Sequence, residues 1–330
     1  MSFFQPSLAE NLPLKLVELP KPRPASGQVR LRVLACGVCH TDLHIIEGDI
    51  HPPELPITPG HQVVGTIDEL GAGVSGLNMG DRVGVPWLYD VCTTCEFCQR
   101  GEDNLCPEAR FTGFHVNGGF SEYMLADARY VLRIPASFTN EHAAPLLCAG
   151  IVGYRSLHQA DLHPGERLGL VGFGASAHLA IQLARHWGCE IYAFSRSREH
   201  RQHAEDLGAF WTGSIEDKLP KLLDRAVIFA PVGSLVPAML ERLRPGGTLA
   251  INAIHMSPIP TMEYKLIYGE RTVRSVANAT YQDGVEFLQL AEETHIQVSV
   301  STYALREANQ ALLDLKHSQF RGEAVLVIQR

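Results

Sequence analysis

Residues 167–177 read Arg167-Leu-Gly-Leu-Val-Gly172-Phe-Gly174-Ala-Ser-Ala177, an apolar run that passes through two closely spaced glycines into the helical pattern of Ala177 to Trp187. Gly172-Phe173-Gly174-Ala175-Ser176-Ala177 has the form G-x-G-x-x-A between a predicted strand and a predicted helix, the context in which this short motif becomes informative. Gly172 permits a tight turn. Gly174 lets the backbone approach a pyrophosphate resting on the helix N-terminus, and Ala177 allows close packing of strand and helix. Phe173 and Ala175 complete the expected cofactor-binding turn. A structural glycine turn that holds no nucleotide is the competing reading.

Beyond the turn, Glu190 to Phe194 reads as a strand, Arg198 to Leu207 as a helix, Ala226 to Ala230 as an apolar strand and Leu235 to Leu243 as a helix. Pro245-Gly-Gly247 reads as a turn and Thr248 to Ile251 as a further strand. Strand and helix in alternation imply an α/β domain with a doubly wound parallel sheet of Rossmann type, assigned to residues 150–277. Upstream the texture differs. Short β-branched runs at Val29 to Ala35, Val63 to Leu70 and Tyr130 to Ile134 are separated by Pro and Gly turn signals, which predicts an irregular β-rich domain over 1–149. Beyond Asn278 the chain reads helical through Asp283 to Thr294, extended over Ile296 to Ser301, and as a strand from Ala324 to Gln329. This tail, 278–330, is expected to rejoin the first domain.

The chain has 330 residues and a formal charge of -8, with no long Lys/Arg run, so it lacks the basic excess that neutralises phosphates and nucleic acid is not expected as a partner. Met1 to Leu16 has no basic-then-apolar pattern, and the apolar stretch from Ala226 to Leu240 is interrupted by Pro231 and Pro237, so neither export nor membrane insertion is expected. Eight cysteines without an export signal read as reduced thiols and thiolate ligands, and the expected location is cytoplasmic.

Cys92, Cys95, Cys98 and Cys106 fall on one short segment, two residues apart at each of the first two gaps and seven at the third. Four thiolates can close a tetrahedral structural Zn²⁺ site. An iron–sulfur cluster is the sharper rival, because the bacterial ferredoxin run shares the first two gaps and a Cys-Pro ending, present here as Cys106-Pro107. Its last gap is about three residues, and the spacing therefore favours zinc. Such a site would stabilise a lobe with little apolar core of its own, since metal-binding energy there is folding energy.

Three further segments, Cys36-Gly-Val-Cys39-His-Thr-Asp42, Pro59-Gly-His61-Gln62 and Ala144-Pro-Leu-Leu-Cys148, are far apart in sequence. Taken singly they read as a buried thiol, a turn histidine and a core cysteine. With the four-cysteine segment and the glycine-rich turn they stand in an order that resembles the zinc-dependent alcohol dehydrogenases of the medium-chain dehydrogenase/reductase family, over nearly the whole chain.

The resemblance implies a GroES-like fold for the β-rich catalytic domain (1–149 and 278–330), with the structural zinc lobe at about 90–108. It implies two Zn²⁺ per chain, the catalytic one held by Cys39, His61 and Cys148. Three ligands leave a fourth position for water or substrate, and two thiolates with a neutral imidazole cancel the formal charge of an ion that remains a Lewis acid. Thr41 matches the hydroxyl that bonds the substrate oxygen, and His44 the histidine that receives the proton by way of the cofactor ribose; a surface imidazole is the plain alternative for His44. Asp42 matches the carboxylate that orients the ligand imidazole, and it also suits a helix N-terminus. His40 matches a pyrophosphate contact or serves as a cap. Trp87 and Ile50 match residues that shape the substrate pocket. Cys36 and Cys189 match no ligand and read as core. Gln62 departs from the glutamate common after this histidine, and a neutral amide cannot approach the metal as an anion.

An NAD site usually places Asp or Glu at the end of the second strand to accept from the ribose hydroxyl. Here the place falls at Ser195, with Arg196 and Arg198 following and no carboxylate before Glu199. Ser and Arg suit a 2′-phosphate, so NADP(H) is expected over NAD(H), unless these residues are only a solvated basic helix start. The expected function is reversible hydride transfer between a small primary alcohol or its aldehyde and NADP(H), leaning toward aldehyde reduction, in a homodimer or homotetramer. The alternatives are a quinone or enone reductase of the same superfamily and a non-catalytic NADP(H)-binding protein.

Overall fold

The computed structural model describes residues 1–328, and the chain divides into two compact units: Met1–Ala149 with Asn278–Gln289 and Val298–Arg330, and Gly150–Ala277 with Leu290–Gln297. In chain order the first unit contributes β1 (Gln28–Val38), α1 (His40–Glu47), β2 (Val63–Leu70), β3 (Arg82–Val85), β4 (Leu88–Asp90), α2 (Glu96–Gln99), β5 (Arg110–Phe111), β6 (Tyr123–Asp127), β7 (Leu132–Arg133) and α3 (Asn140–Ala143). Then come α4 (Ala149–Gln159), β8 (Arg167–Val171), α5 (Ala175–His186), β9 (Glu190–Phe194), α6 (Arg198–Asp206), β10 (Trp211–Gly213), β11 (Leu223–Ile228), α7 (Leu235–Leu240), β12 (Leu243–Ile251) and β13 (Thr272–Ser275). The chain closes with α8 (Tyr281–Glu293), β14 (Val300–Ala304), α9 (Ala308–Lys316) and β15 (Glu323–Val327).

In the second unit six parallel strands stand in the order β10-β9-β8-β11-β12-β13. The chain steps outward from β8 to β10, returns to the centre at β11 and steps outward the other way. That reversal between β8 and β11 is the switch point at which doubly wound sheets bind ligands. All six residues of β11 are buried, as a strand covered on both faces requires. Two expectations are corrected here. The helix read over Leu235 to Leu243 ends at Leu240, and Leu243 already belongs to β12. Pro245-Gly-Gly247 does not end the strand: Gly246 takes φ +74°, the pairing with β11 shifts register there, and β12 runs on to Ile251.

In the first unit a mostly antiparallel sheet runs β14-β15-β1-β2-β3-β7, with β6 also on β1. Its long strand β1 carries the fold, pairing with β2, β6 and β15, and its apolar residues Val29, Leu31, Val33 and Val38 enter the core with Phe3, Ile45, Phe120 and Leu326. The tail adds β14 and β15, the latter antiparallel to β1. Of the run Tyr130 to Ile134 only Leu132–Arg133 pairs, with β3. The extended segment expected at Ile296 to Ser301 becomes a strand only from Val300. Its first residues instead close α8, Ile296 N donating to Ala291 O, while Gln297 and Gln182 exchange side-chain-to-backbone bonds of 2.8 Å that tie 290–297 to α5. Gln329, the last residue of the expected final strand, lies outside the described residues. Among the described residues no helix is long and apolar enough to cross a membrane.

Candidate active site

In the first unit, β1 runs into α1 with Cys39 as the helix N-cap; His61 sits just before β2, and Cys148 follows the short 3-10 turn Ala144–Leu147. Their ligand atoms all lie within 4.8 Å of one another. Asp42, fully buried at the third position of α1, joins these pieces. Its Oδ2 accepts from Cys39 N at 2.9 Å, and its Oδ1 accepts from Gly60 N at 3.1 Å and lies 3.1 Å from His61 Nδ1. The acid is thus both a helix-start carboxylate and the partner of the imidazole. With Nδ1 engaged, the buried His61 Nε2 has no hydrogen-bond partner. An orphaned imidazole nitrogen beside two sulfurs fits a metal ligand set, since a buried polar atom otherwise loses its solvation without return.

The local field favours a cation. The Cys148 thiol beside it, and after it the nearby His61 ring, hold the Cys39 thiol well below its ordinary pKa despite burial, while Cys148 itself is pushed up. For His61 burial opposes charge, but the carboxylate of Asp42 overcomes it and the ring is raised to about 10. A divalent ion entering here would displace protons, the usual coupling of metal affinity to pH.

Around this set, Thr41 Oγ1 lies 3.8 Å from Cys39 Sγ, and one turn along α1 His44 Nδ1 is 2.7 Å from Asp49 Oδ2. His40 is exposed. Trp87 meets His61 edge-on with centroids 4.9 Å apart, stacks on Phe111 at 5.1 Å and lies 5.9 Å from Phe114, so one wall beside the imidazole is aromatic. Ile50 packs against the main core of this unit. Gln62 is fully buried, its amide reaching the carboxyl of Glu323. Reading the sequence did not single out Phe111, Phe114, Asp49 or Glu323. The two phenylalanines just past the cysteine segment were a signal for an aromatic wall, whereas a lone acid before Ala324 looks like a solvated strand end.

In the four-cysteine lobe the sulfurs of Cys92 and Cys98 are 3.9 Å apart, those of Cys95 and Cys98 3.5 Å, and those of Cys92 and Cys106 3.5 Å. A tetrahedron with Zn–S of about 2.3 Å has edges of about 3.8 Å. The gaps fit that polyhedron and are far too long for disulfides. Backbone N–H groups of Thr94 and Cys95 lower the Cys92 thiol to about 6, while burial and then the neighbouring thiols raise Cys98 to about 12. The lobe's apolar centre is small, formed by Leu88, Val91, Cys106 and Tyr130. Cys36 and Cys189, outside both sets, are buried.

In the second unit, Gly172 takes φ +87° and a Cβ there would meet Ala230 N at 3.0 Å, so only glycine fits. Gly174 is the N-cap of α5, and a Cβ on it would meet nothing within 4 Å. That open space in front of a helix N-terminus is where a pyrophosphate fits. Ala177 is fully buried and Phe173 nearly so. At the end of β9, Ser195 Oγ accepts from Ser197 N at 3.2 Å, and Ser197 caps α6 by accepting from His200 N. Arg201, not singled out in the sequence, donates to Ser195 O at 2.7 Å and so shapes this loop; Arg196 and Arg198 are exposed.

Two family models match the chain: an alcohol dehydrogenase GroES-like domain over 25–136 and a zinc-binding dehydrogenase over 177–293. The chain is 42% identical to a probable alcohol dehydrogenase, AdhA, of Mycobacterium tuberculosis, covering 98% of this chain and 95% of the relative. It is similar to the solved structure of a cinnamyl alcohol dehydrogenase from Sorghum bicolor, with a TM-score of 0.88 and 30% identity over 94% of this chain and 92% of that one. It is also similar to a cobalt- and zinc-bound thermostable alcohol dehydrogenase from Pyrobaculum aerophilum, with a TM-score of 0.89 and 26% identity over 99% and 98%.

Proposed function

The chain belongs to the zinc-type alcohol dehydrogenases of the medium-chain dehydrogenase/reductase family, and from that premise we propose an enzyme with two Zn²⁺ per chain that interconverts primary alcohols and aldehydes with NADP(H), running toward aldehyde reduction. It is an oxidoreductase with alcohol dehydrogenase activity, and the finer reading is supported most by the buried, unpartnered His61 Nε2 within 4.8 Å of the ligand sulfurs of Cys39 and Cys148. When bound, the metal supplies Lewis acidity at one open position and the dinucleotide takes up or gives hydride.

The side chains divide the remaining work. Cys39, His61 and Cys148 hold the metal, and Asp42 fixes the imidazole so that Nε2 faces inward. Thr41 orients the substrate oxygen and takes its proton in oxidation, and His44, backed by Asp49, passes it outward. Trp87, Phe111 and Phe114 present apolar rings to the organic part of the substrate and exclude water. The four-cysteine lobe holds the second metal. The turn 172–177 binds the cofactor pyrophosphate. Ser195, Arg196 and Arg198 receive a 2′-phosphate, the end of β9 offering no carboxylate to a ribose hydroxyl. An enone reductase or a non-catalytic binder on this fold has no use for an open three-ligand set.

Reduced thiolate ligands suit the cytoplasm. The edge strand β13, with Val273 39% exposed, supports association of copies into a dimer or tetramer. The test is steady-state kinetics of zinc-loaded enzyme on a panel of aliphatic and aromatic primary alcohols and aldehydes with both cofactors. NADP(H)-dependent turnover that vanishes on metal removal is expected; zinc-independent reduction of enones would refute the reading.

A further inference from the structure

The sheet end that carries the metal ligands also buries a carboxyl with no assigned task. Gly37 N donates to Gln62 O at 3.0 Å, on the β2 side of β1, and on the other side Gly37 pairs with Val325 and Val38 with Ala324. Residues opposite each other in an antiparallel pair share a face, as do residues two apart along an extended strand. Gln62, Gly37, Glu323 and the extended Cys39 therefore stand on one face at the end of β1. Gly37 makes this possible: a Cβ there would meet Gln62 Cδ and Nε2 at 2.9 Å, so its absence lets the amide lie across the strand.

Glu323 is 2% exposed and Gln62 0%, and the Gln62 amide is the polar side chain that reaches the buried carboxyl. Burial, and after it the Cys39 thiol, push this carboxyl well above the usual range, while Gln62 and His61 pull it down. A buried carboxyl and a buried amide paired on one face beside a ligand set stand where an ion held by that set would act on them.

We propose that Glu323 is a positioning residue of the catalytic metal site: facing Gln62 across Gly37, it supplies from β15 the buried carboxyl that the segment after His61 lacks, and it strengthens retention of the metal. The proposal rests on the reading of Cys39, His61 and Cys148 as metal ligands. The physical reason is that a carboxyl beside a divalent ion in a water-poor interior adds attraction that a neutral amide cannot, and such outer partners govern metal affinity.

The experiment is chelator-driven zinc release from zinc-loaded parent, E323Q and the exchange variant Q62E/E323Q, with C39S identifying the phase that belongs to the three-ligand site. E323Q is expected to release that metal about tenfold faster or more, with the phase from the four-cysteine lobe and the melting temperature unchanged. Returning a carboxyl from the neighbouring strand in Q62E/E323Q is expected to bring release back to within about threefold of parent. Release from E323Q as slow as from parent overturns the proposal, as does faster loss of both metals together with a lower melting temperature, or an exchange variant as leaky as E323Q. A parent that holds zinc only in the four-cysteine lobe overturns the ligand reading itself, and this inference with it.

Discussion

Asp42 Oδ1 lies 3.1 Å from His61 Nδ1 with both side chains fully buried, so the orientation of the imidazole is fixed by the protein independently of any metal. The same carboxylate holds Cys39 N and Gly60 N, which makes it the joint between the start of α1 and the histidine loop.

Replacing Asp42 with Asn is therefore expected to weaken zinc at the three-ligand site by about 10- to 100-fold, because the amide can present its N–H to Nδ1 and select the wrong tautomer. Competition titration against a zinc chelator checks this. An unchanged affinity would show that the contact does not position the ring.

Cys98→Ser removes one corner of the four-sulfur polyhedron around a lobe whose apolar centre is small. Zinc content is expected to fall by one ion per chain, and stability by about 4 kcal/mol, the range that loss of a structural metal reaches. Metal analysis and urea unfolding of the same sample provide the two readings.

The phosphate-recognising loop predicts a shift in cofactor use. In the double variant Ser195→Asp/Arg198→Ala a carboxylate replaces the hydroxyl and one cation is lost, so the KM for NADP⁺ is expected to rise about tenfold or more, equivalent to about 1.4 kcal/mol, while that for NAD⁺ falls or holds. Measuring kcat/KM with each cofactor decides it.

His178 on α5 is 1% exposed, and burial, followed by the charge of His203, lowers it to about 4 against the opposing pull of the Ala175 and Gly174 backbone. The fold thus prefers the neutral ring. Above the unfolded value of about 6.5 this carries no penalty; as pH falls from there toward 4 the unfolded chain takes up a proton that the folded chain refuses, and stability drops by about 3 kcal/mol. His178→Leu is expected to flatten the stability slope in that window, as urea unfolding at a series of pH values would record.

Chemistry was legible in the sequence where it depends on local order. The cysteine gaps and the glycine turn are set by short-range geometry, and the periodicity of Glu190–Phe194 matches β9 residue for residue. Boundaries were lost where long-range pairing overrides local signals: Pro245-Gly-Gly247 reads as a turn, but pairing with β11 keeps the chain in the sheet. Glu323 was invisible for a related reason. Its burial comes from a strand that returns to β1 after almost 300 residues, and no local pattern marks a carboxylate on the wet-looking end of an apolar run as one that will be enclosed.

Zinc-edge anomalous diffraction from crystals of the protein addresses the metal reading most directly. Two peaks per chain are predicted: one inside the four-cysteine lobe, the other in bonding contact with Cys39 Sγ, His61 Nε2 and Cys148 Sγ, with a fourth ligand that is not protein. A single peak confined to the cysteine lobe, or a second site closed by a fourth protein side chain, would contradict it.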